Sequence, residues 1–355
     1  MLEYLLRFSI RRNSIIMLAV LALAGLGIWN FTKLPIDAVP DITNVQVMIN
    51  TEAPGYTPLE VEQRVTYPLE TALAGIPNLV STRSVSRYGL SQVTAIFSDD
   101  TDIYFARQLV NERLVSAKSD LPTGLEPELG PIATGLGEIF MFTVDAEPEA
   151  LNDKGERITA TDLRTVHDWI IRPQLMQVQG VVEVNPIGGF KREILIAFEP
   201  KKLLAFGVTQ QDVIQAIENN NDNKGAGFIE KNGAQWLLRI PGQAKTISDL
   251  STIPVKTTDG SVIRISDVAN VKEGKELRTG AATQNGREVV MSTVFMLIGE
   301  NSQKVAKAVG LRLEEIKRSL PTGITVTAVY DRTKLVEKTL DTVKTNLLEG
   351  ALLVI

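Results

Sequence analysis

Hydrophobic and polar positions divide this chain into two apolar ends and a long, finely patterned middle. Residues 14–31, SIIMLAVLALAGLGIWNF, hold no charged side chain. The run is close to the ~20 residues a helix needs to cross a hydrocarbon core about 30 Å thick, so it is predicted to be a transmembrane helix. Arg7, Arg11 and Arg12 precede it and only Lys33 comes closely after it. Basic residues favour the cytoplasmic side, which leaves 1–13 as a cytoplasmic segment and sends the chain beyond Phe31 outward. A cleaved signal peptide, with Gly25 and Gly27 before the cut, is the competing reading, although the run exceeds the ~7–15 residues usual for such a core. At the other end Leu335, Val336, Thr339, Leu340, Val343 and Leu347 recur at helical spacing, with Lys and Glu on the opposite face. From Leu347 onward only Glu349 is charged. Residues 333–355 therefore read as a lead-in and the truncated start of a second transmembrane helix; an amphipathic helix docked on the rest of the chain is the alternative.

The middle carries a repeat. FARQLVNERLVSAKSDLPTG, starting at Phe105, lines up with KVAKAVGLRLEEIKRSLPTG, starting at Lys304. Both are helical in pattern and both stop at Leu-Pro-Thr-Gly, which suggests a duplicated unit. In the first copy, residues 45–49 alternate as a strand. Thr57, Pro58 and Glu60 then form a cap, a first-turn proline and a capping-box glutamate, opening a helix with Val61, Val65, Leu69 and Leu73 on one face. Pro68 predicts a kink or break near Tyr67. Two strands come next around Tyr88-Gly89, and Ile103, Ala106, Leu109, Val110, Leu114 and Ala117 mark a second helix. Strand, helix, strand, strand, helix is a split β-α-β unit.

The second copy begins near Leu136, takes its first helix after a Thr161 cap, and is interrupted after residues 181–184 by about 100 residues before resuming near Val289. The insert has its own pattern: a strand at 194–198, a helix at 210–217, and hairpin turns at Asn232-Gly233 and Asp259-Gly260. Residues 219–227, NNNDNKGAG, lack an apolar anchor and predict a protruding loop.

Composition narrows the function. Cysteine is absent and His167 is the single histidine, which removes disulfides, thiolate chemistry and poly-His metal cages. A net charge of -5 with no cluster of Lys and Arg argues against a nucleic-acid partner. The chain lacks a nucleophile elbow, a phosphate loop and paired His ligands, so an enzyme is the least favoured class.

Six stretches, in chain order, carry a resemblance over the whole length: KLPIDAVPDITNVQV from Lys33, APGYTPLEVEQRVTYPLETALAGIP from Ala53, RYGLSQV from Arg87, DIYFARQLVNERL from Asp102, GPIATGLGEIF from Gly130, and Tyr330-Asp331-Arg332. Together they resemble the resistance-nodulation-division efflux pumps, and among them the heavy-metal, cobalt-zinc-cadmium resistance branch. The resemblance implies an α+β membrane protein: an N-terminal transmembrane helix (14–31), duplicated ferredoxin-like periplasmic porter subdomains (38–134; 135–180 with 275–332), an inserted α+β docking domain (181–274) and the start of a second transmembrane helix (333–355). It further implies the first third of a proton-driven homotrimer in the bacterial inner membrane. Such a pump joins a periplasmic adaptor and an outer-membrane channel and exports zinc, cobalt, cadmium or nickel, with the cation as cargo and no cofactor. The loop Asn219, Asn220, Asn221, Asp222, Asn223, Lys224, Gly225 would clasp a neighbouring subunit. A multidrug pump of the same superfamily is the runner-up, disfavoured by 6% aromatic residues; a bitopic periplasmic binding or adaptor module is the third reading.

A divalent cation that must bind and then leave suits carboxylates with at most one imidazole. Glu138 is the favoured metal candidate, since Thr134-Gly135-Leu136-Gly137 brings bare backbone to it, and its position is similar to one at the porter cleft of the metal branch. A surface Glu opening a strand is the plainer account. His167 and Asp168 are the second candidates. His167 falls four residues after Leu163 and leans toward the apolar stripe, so a buried, hydrogen-bonded histidine competes with a ligand there. Asp99, Asp100 and Asp102 read as helix capping. The seven Met residues show no spaced pair suited to copper(I).

Overall fold

The computed structural model describes residues 12–31, 43–152, 155–258, 260–276 and 280–354. Nearly all of the expected cytoplasmic segment, with Arg7 and Arg11, lies outside them, as do Lys33, residues 38–42 and Asp259. The first helix, α1 (Asn13–Phe31), carries no charged residue and leaves Leu18, Leu21 and Leu23 68–71% exposed. Among the described residues no helix is long and apolar enough to cross a membrane. At the other end the lead-in and the apolar run are one helix, Arg332–Val354.

The duplicated unit is visible as two sheets of the same topology. In the first, β1 (Gln46–Glu52), β2 (Leu79–Arg87), β3 (Leu90–Phe97) and β4 (Pro127–Leu129) lie in the order β2-β3-β1-β4, all antiparallel. Helices α2 (58–73) and α3 (Ile103–Ala117) cover one face. Alternation along β3 buries Ser91, Val93, Ala95 and Phe97 against Val61, Val65, Leu69, Val110 and Leu114. In the second, β5 (Glu138–Ala146), β6 (Val181–Ile187), β14 (Arg287–Met296) and β15 (Ile324–Asp331) repeat that order as β6-β14-β5-β15, with β13 (Ala282–Gln284) on the far stretch of β14. Their core joins Ile139, Phe142 and Val144 to Leu163, Ile171, Val305, Val309 and Leu313.

Matching helices start and stop alike. Asp102 caps α3 through Phe105 N–H at 2.9 Å, and Asn301 caps Ser302–Lys317 through Lys304 N–H at 3.0 Å. The Leu-Pro-Thr-Gly endings place Gly124 at φ +90° and Gly323 at φ +83°. L side chains rarely adopt such angles, so both exits need glycine.

Pro68 does not break α2. The helix opens from the Thr57–Glu60 capping box, runs through Pro58–Val61, widens into a π turn at Glu62–Thr66 and continues as Tyr67–Leu73. Tyr67 N–H bonds Glu62 O, five residues back, and the wider turn makes room for a ring that would otherwise clash with the preceding turn. The second copy repeats the device in α4, as Ala160–Val166, a π turn at His167–Ile171, and Arg172–Leu175 with Pro173. Its cap is Thr159, not Thr161. Asp162 sits three residues after Thr159 and returns a carboxylate bond to its N–H at 2.9 Å, completing a box unavailable to Thr161, which is buried.

The interrupting residues leave and re-enter side by side. β7 (Arg192–Phe198) pairs with β12 (Ala269–Lys275) over seven residue partners, and beyond them a core of Leu203, Val208, Val213, Leu250, Ile265 and Val268 forms on its own. β8 (Lys224–Lys231) and β9 (Ala234–Ile240) make a hairpin whose turn has Asn232 and Gly233 at positive φ. The protruding loop is shorter than expected. Asn219 and Asn220 end the helix Gln210–Asn220, Lys224 and Gly225 begin β8, and only 221–223 connect them. Asn side chains close this connection: Asn221 Oδ1 accepts from Ala244 N–H at 2.8 Å, and Asn223 Nδ2 donates to Gln243 at 3.1 Å.

Candidate functional site

Glu138 stands at the seam between the two repeats, and its surroundings are wired from four directions. Gly130 N–H donates to Met48 O of the first sheet at 2.7 Å, and Arg107 of α3 donates to Gly130 O at 2.6 Å. Ile298 N–H reaches Ile132 O at 3.3 Å, and Gly137 lies so close to Met296 that a Cβ there would sit 3.2 Å from its carbonyl oxygen. Arg332, only 5% exposed, spends Nη1 on the backbone carbonyls of Leu136 and Glu138. The backbone of the crossing segment is thus fixed while the Glu138 side chain is half-buried, and its carboxylate forms no hydrogen bond or ion pair among the described residues. Arg107 and Arg332 stood in the sequence only within the stretches that carry the resemblance, and their role here went unread, because an arginine bonded to distant carbonyls leaves no periodic signal.

His167 and Asp168 belong to a different place. His167 is fully buried at the start of the π turn. Its Nδ1 lies 2.7 Å from Asp168 Oδ1 and its Nε2 2.9 Å from Ser292 Oγ, on the central strand β14. One tautomer serves both: Nδ1–H donates to the carboxylate and Nε2 accepts from the hydroxyl. Phe142 stacks on the ring at 6.1 Å. Burial holds the imidazole below its ordinary pKa, outweighing the pull of Asp168 the other way. Burial would raise Asp168, but hydrogen bonds from His167 and from Arg164 Nε, at 2.9 Å, hold its carboxyl below the usual range. The order Asp–His–Ser is that of a hydrolase triad, yet Ser292 and His167 are both completely enclosed, so no substrate reaches the hydroxyl.

The structure therefore groups His167 with Asp168 and leaves Glu138 apart, facing Phe295 on β14 where Ser292 faces Phe142. Among the described residues no three His, Cys, Asp or Glu side chains gather into a cation-holding group. The first repeat has its own buried polar link at the equivalent π turn: Thr66 Oγ1 lies 2.7 Å from Ser91 Oγ and 2.8 Å from Ser86 Oγ.

Two split β-α-β sheets, an insert on a two-strand stalk and an uncharged leading helix define the class, a duplicated α+β protein. Residues 5–355 match the AcrB/AcrD/AcrF family, and the chain belongs to it. Within that family it falls in the heavy-metal branch of the resistance-nodulation-division pumps. It is 57% identical to the cation efflux system protein CzcA of Alcaligenes sp. (strain CT14) and 42% identical to the nickel and cobalt resistance protein CnrA of Cupriavidus metallidurans, with all of this chain covered in each. A crystal structure of a heavy metal efflux pump superposes on 99% of this chain with a TM-score of 0.85 at 29% identity, covering 34% of that pump. The chain spans about a third of the length of the curated relatives it matches, 33% of CzcA and 35% of CnrA.

Proposed function

We propose that this chain is the leading part of an inner-membrane pump that exports divalent heavy-metal cations such as zinc, cobalt, cadmium or nickel, and that Glu138 contacts the cation in transit. The observation that carries the reading is the half-buried, unpartnered Glu138 carboxylate on a rigidly held crossing segment. A single hard oxygen ligand on a fixed backbone holds a borderline cation weakly enough to release it, as transport requires. Similarity to the metal-resistance proteins supports the cargo. His167 and Asp168 serve as a positioning pair in this reading, since a cation at His167 would have to displace either Asp168 or Ser292.

The two split β-α-β units act as periplasmic porter subdomains and the insert as the docking domain; the expected start of the insert at 181 moves to about 192, because β6 pairs with β14, giving boundaries near 38–134, 135–187 with 280–332, and 192–275. The uncharged helix α1, with its exposed leucines, is an inner-membrane anchor covered by lipid. The working assembly is a proton-driven homotrimer with a periplasmic adaptor and an outer-membrane channel. Residues 221–223 and the exposed β8–β9 hairpin, with Phe228, Ile229, Trp236 and Leu237, are the contact to a neighbouring subunit.

Calorimetry on the purified chain tests the site. Zinc binding that Glu138→Gln weakens by about tenfold, while Glu138→Asp keeps most of it, is the expected result. Uptake of a hydrophobic dye with no response to zinc would overturn the metal reading in favour of a multidrug pump.

A further inference from the structure

A second surface, remote in role from Glu138, has the composition of a protein-binding site. Trp169 is 79% exposed on the outer side of α4, a large apolar cost for an isolated surface residue. It borders a half-open cleft of about 360 Å³ lined by Arg164, Arg172, Lys191 and Arg192, with Asp168 as the lone carboxylate and Thr165 and Pro173 completing the wall. Tryptophan and arginine together are the residues most enriched at the energetic centres of interfaces.

The cleft is pre-built. Arg164 is fixed by Nε on Asp168 Oδ2 and by Nη1 on Gly188 O at 3.2 Å, so Nη2 is left over from its bonds. The Gly188-Gly189 turn behind Arg164 admits nothing larger: a Cβ on Gly189 would lie 2.8 Å from Ala160 O and 2.9 Å from Arg164 Cβ. Arg192 turns to Asp162 and Glu273 at 2.9 Å each, and Lys191 is loosely paired with Glu276 at 3.7 Å across exposed side chains. Arg172 is exposed and has no ion-pair partner among the described residues. Three of the four cations are thus engaged by carboxylates in or beside the cleft, and Arg172 stands unpaired among the described residues next to an uncovered indole.

We propose that this cleft docks an acidic segment of a partner polypeptide, with carboxylates on Arg172 and the free edge of Arg164 and an apolar side chain on Trp169. A small free carboxylate would satisfy the guanidinium groups but leave the indole in water; a peptide covers both.

The test uses the full chain with Trp29→Phe and Trp236→Phe, so that Trp169 alone emits. A glutamate–leucine octapeptide is titrated against it, with the lysine–leucine counterpart and free glutamate as controls. The expected result is a saturable blue shift with the acidic peptide only, weakened at least about tenfold by Arg172→Glu and by Lys191→Glu, both exposed positions whose reversal leaves the circular dichroism spectrum unchanged. The proposal is overturned by no saturable shift, by equal response to the lysine peptide, or by charge reversals without effect. Saturation by free glutamate at the same concentration would make this a small-anion site instead. A blue shift that grows with chain concentration, without peptide, would assign the surface to a second copy of this chain.

Discussion

His167 is the residue whose chemistry and burial pull hardest against each other. Its pKa is held below the ordinary value of 6.5 by burial, so the folded chain keeps it neutral while the unfolded chain protonates it near ~6.5. The unfolded state therefore binds more protons as acidity rises, and the stabilisation is complete above that value and drains away below it. The melting temperature should be flat above about pH 7 and fall from ~6.5 downward, and His167→Gln should flatten that limb; profiles of equal slope would show that His167 does not titrate on unfolding. Asp168, held low by its partners, adds a separate loss only below its ordinary 3.8. Ser292→Ala leaves the buried Nε2 without its hydroxyl donor and should cost about 1–3 kcal/mol by urea denaturation. Here the sequence was half legible: the spacing from Leu163 turned His167 inward, but Ser292, 125 positions away, and the Phe142 stack are products of the fold.

Elements read well wherever the signal was local. Asp102, Thr57 and the Leu-Pro-Thr-Gly stops needed no more than neighbouring residues, and each is where capping chemistry puts it. The signal misled where two local options competed. Thr159 and Thr161 both precede α4, and the choice rests on which one finds Asp162 three residues on. The asparagine run at 219–223 looked like loop because its side chains suit turns, yet two of them continue a helix and two tie the connection to Gln243 and Ala244. The duplicated glycine exits offer a paired measurement. Gly124→Ala meets open space and should lose only the strain of a left-handed residue, about 1–2 kcal/mol, whereas Gly323→Ala adds an overlap with the Ala150 methyl and should cost more. Equal losses by thermal melting would mean that the 147–150 turn yields freely. Thr159→Ala should cost about 1 kcal/mol while Thr161→Ala leaves the helix start intact, read as helical content on heating.

At the scale of the molecule, the separate core of the insert means that its hairpin can be removed without touching Leu203, Val213 or Ile265. Replacing 225–239 by a short glycine linker should leave the melting profile nearly unchanged and, in the full-length protein, abolish the proposed trimer as read by light scattering; a trimer that survives would place the subunit contact elsewhere. What joins the insert to the rest is narrower still. Arg192 and Lys275, paired at one end of the β7–β12 ribbon, face the second sheet, and Phe198 and Ala269, paired at the other, face the insert. A pull that draws the insert away therefore runs along both strands in the same sense, carried by covalent backbone, and neither shears nor unzips the ladder between them. The ribbon is therefore a tether in tension, seated on the insert core through Ile196, Phe198 and Val271 and held at its base by the Arg192–Asp162 ion pair.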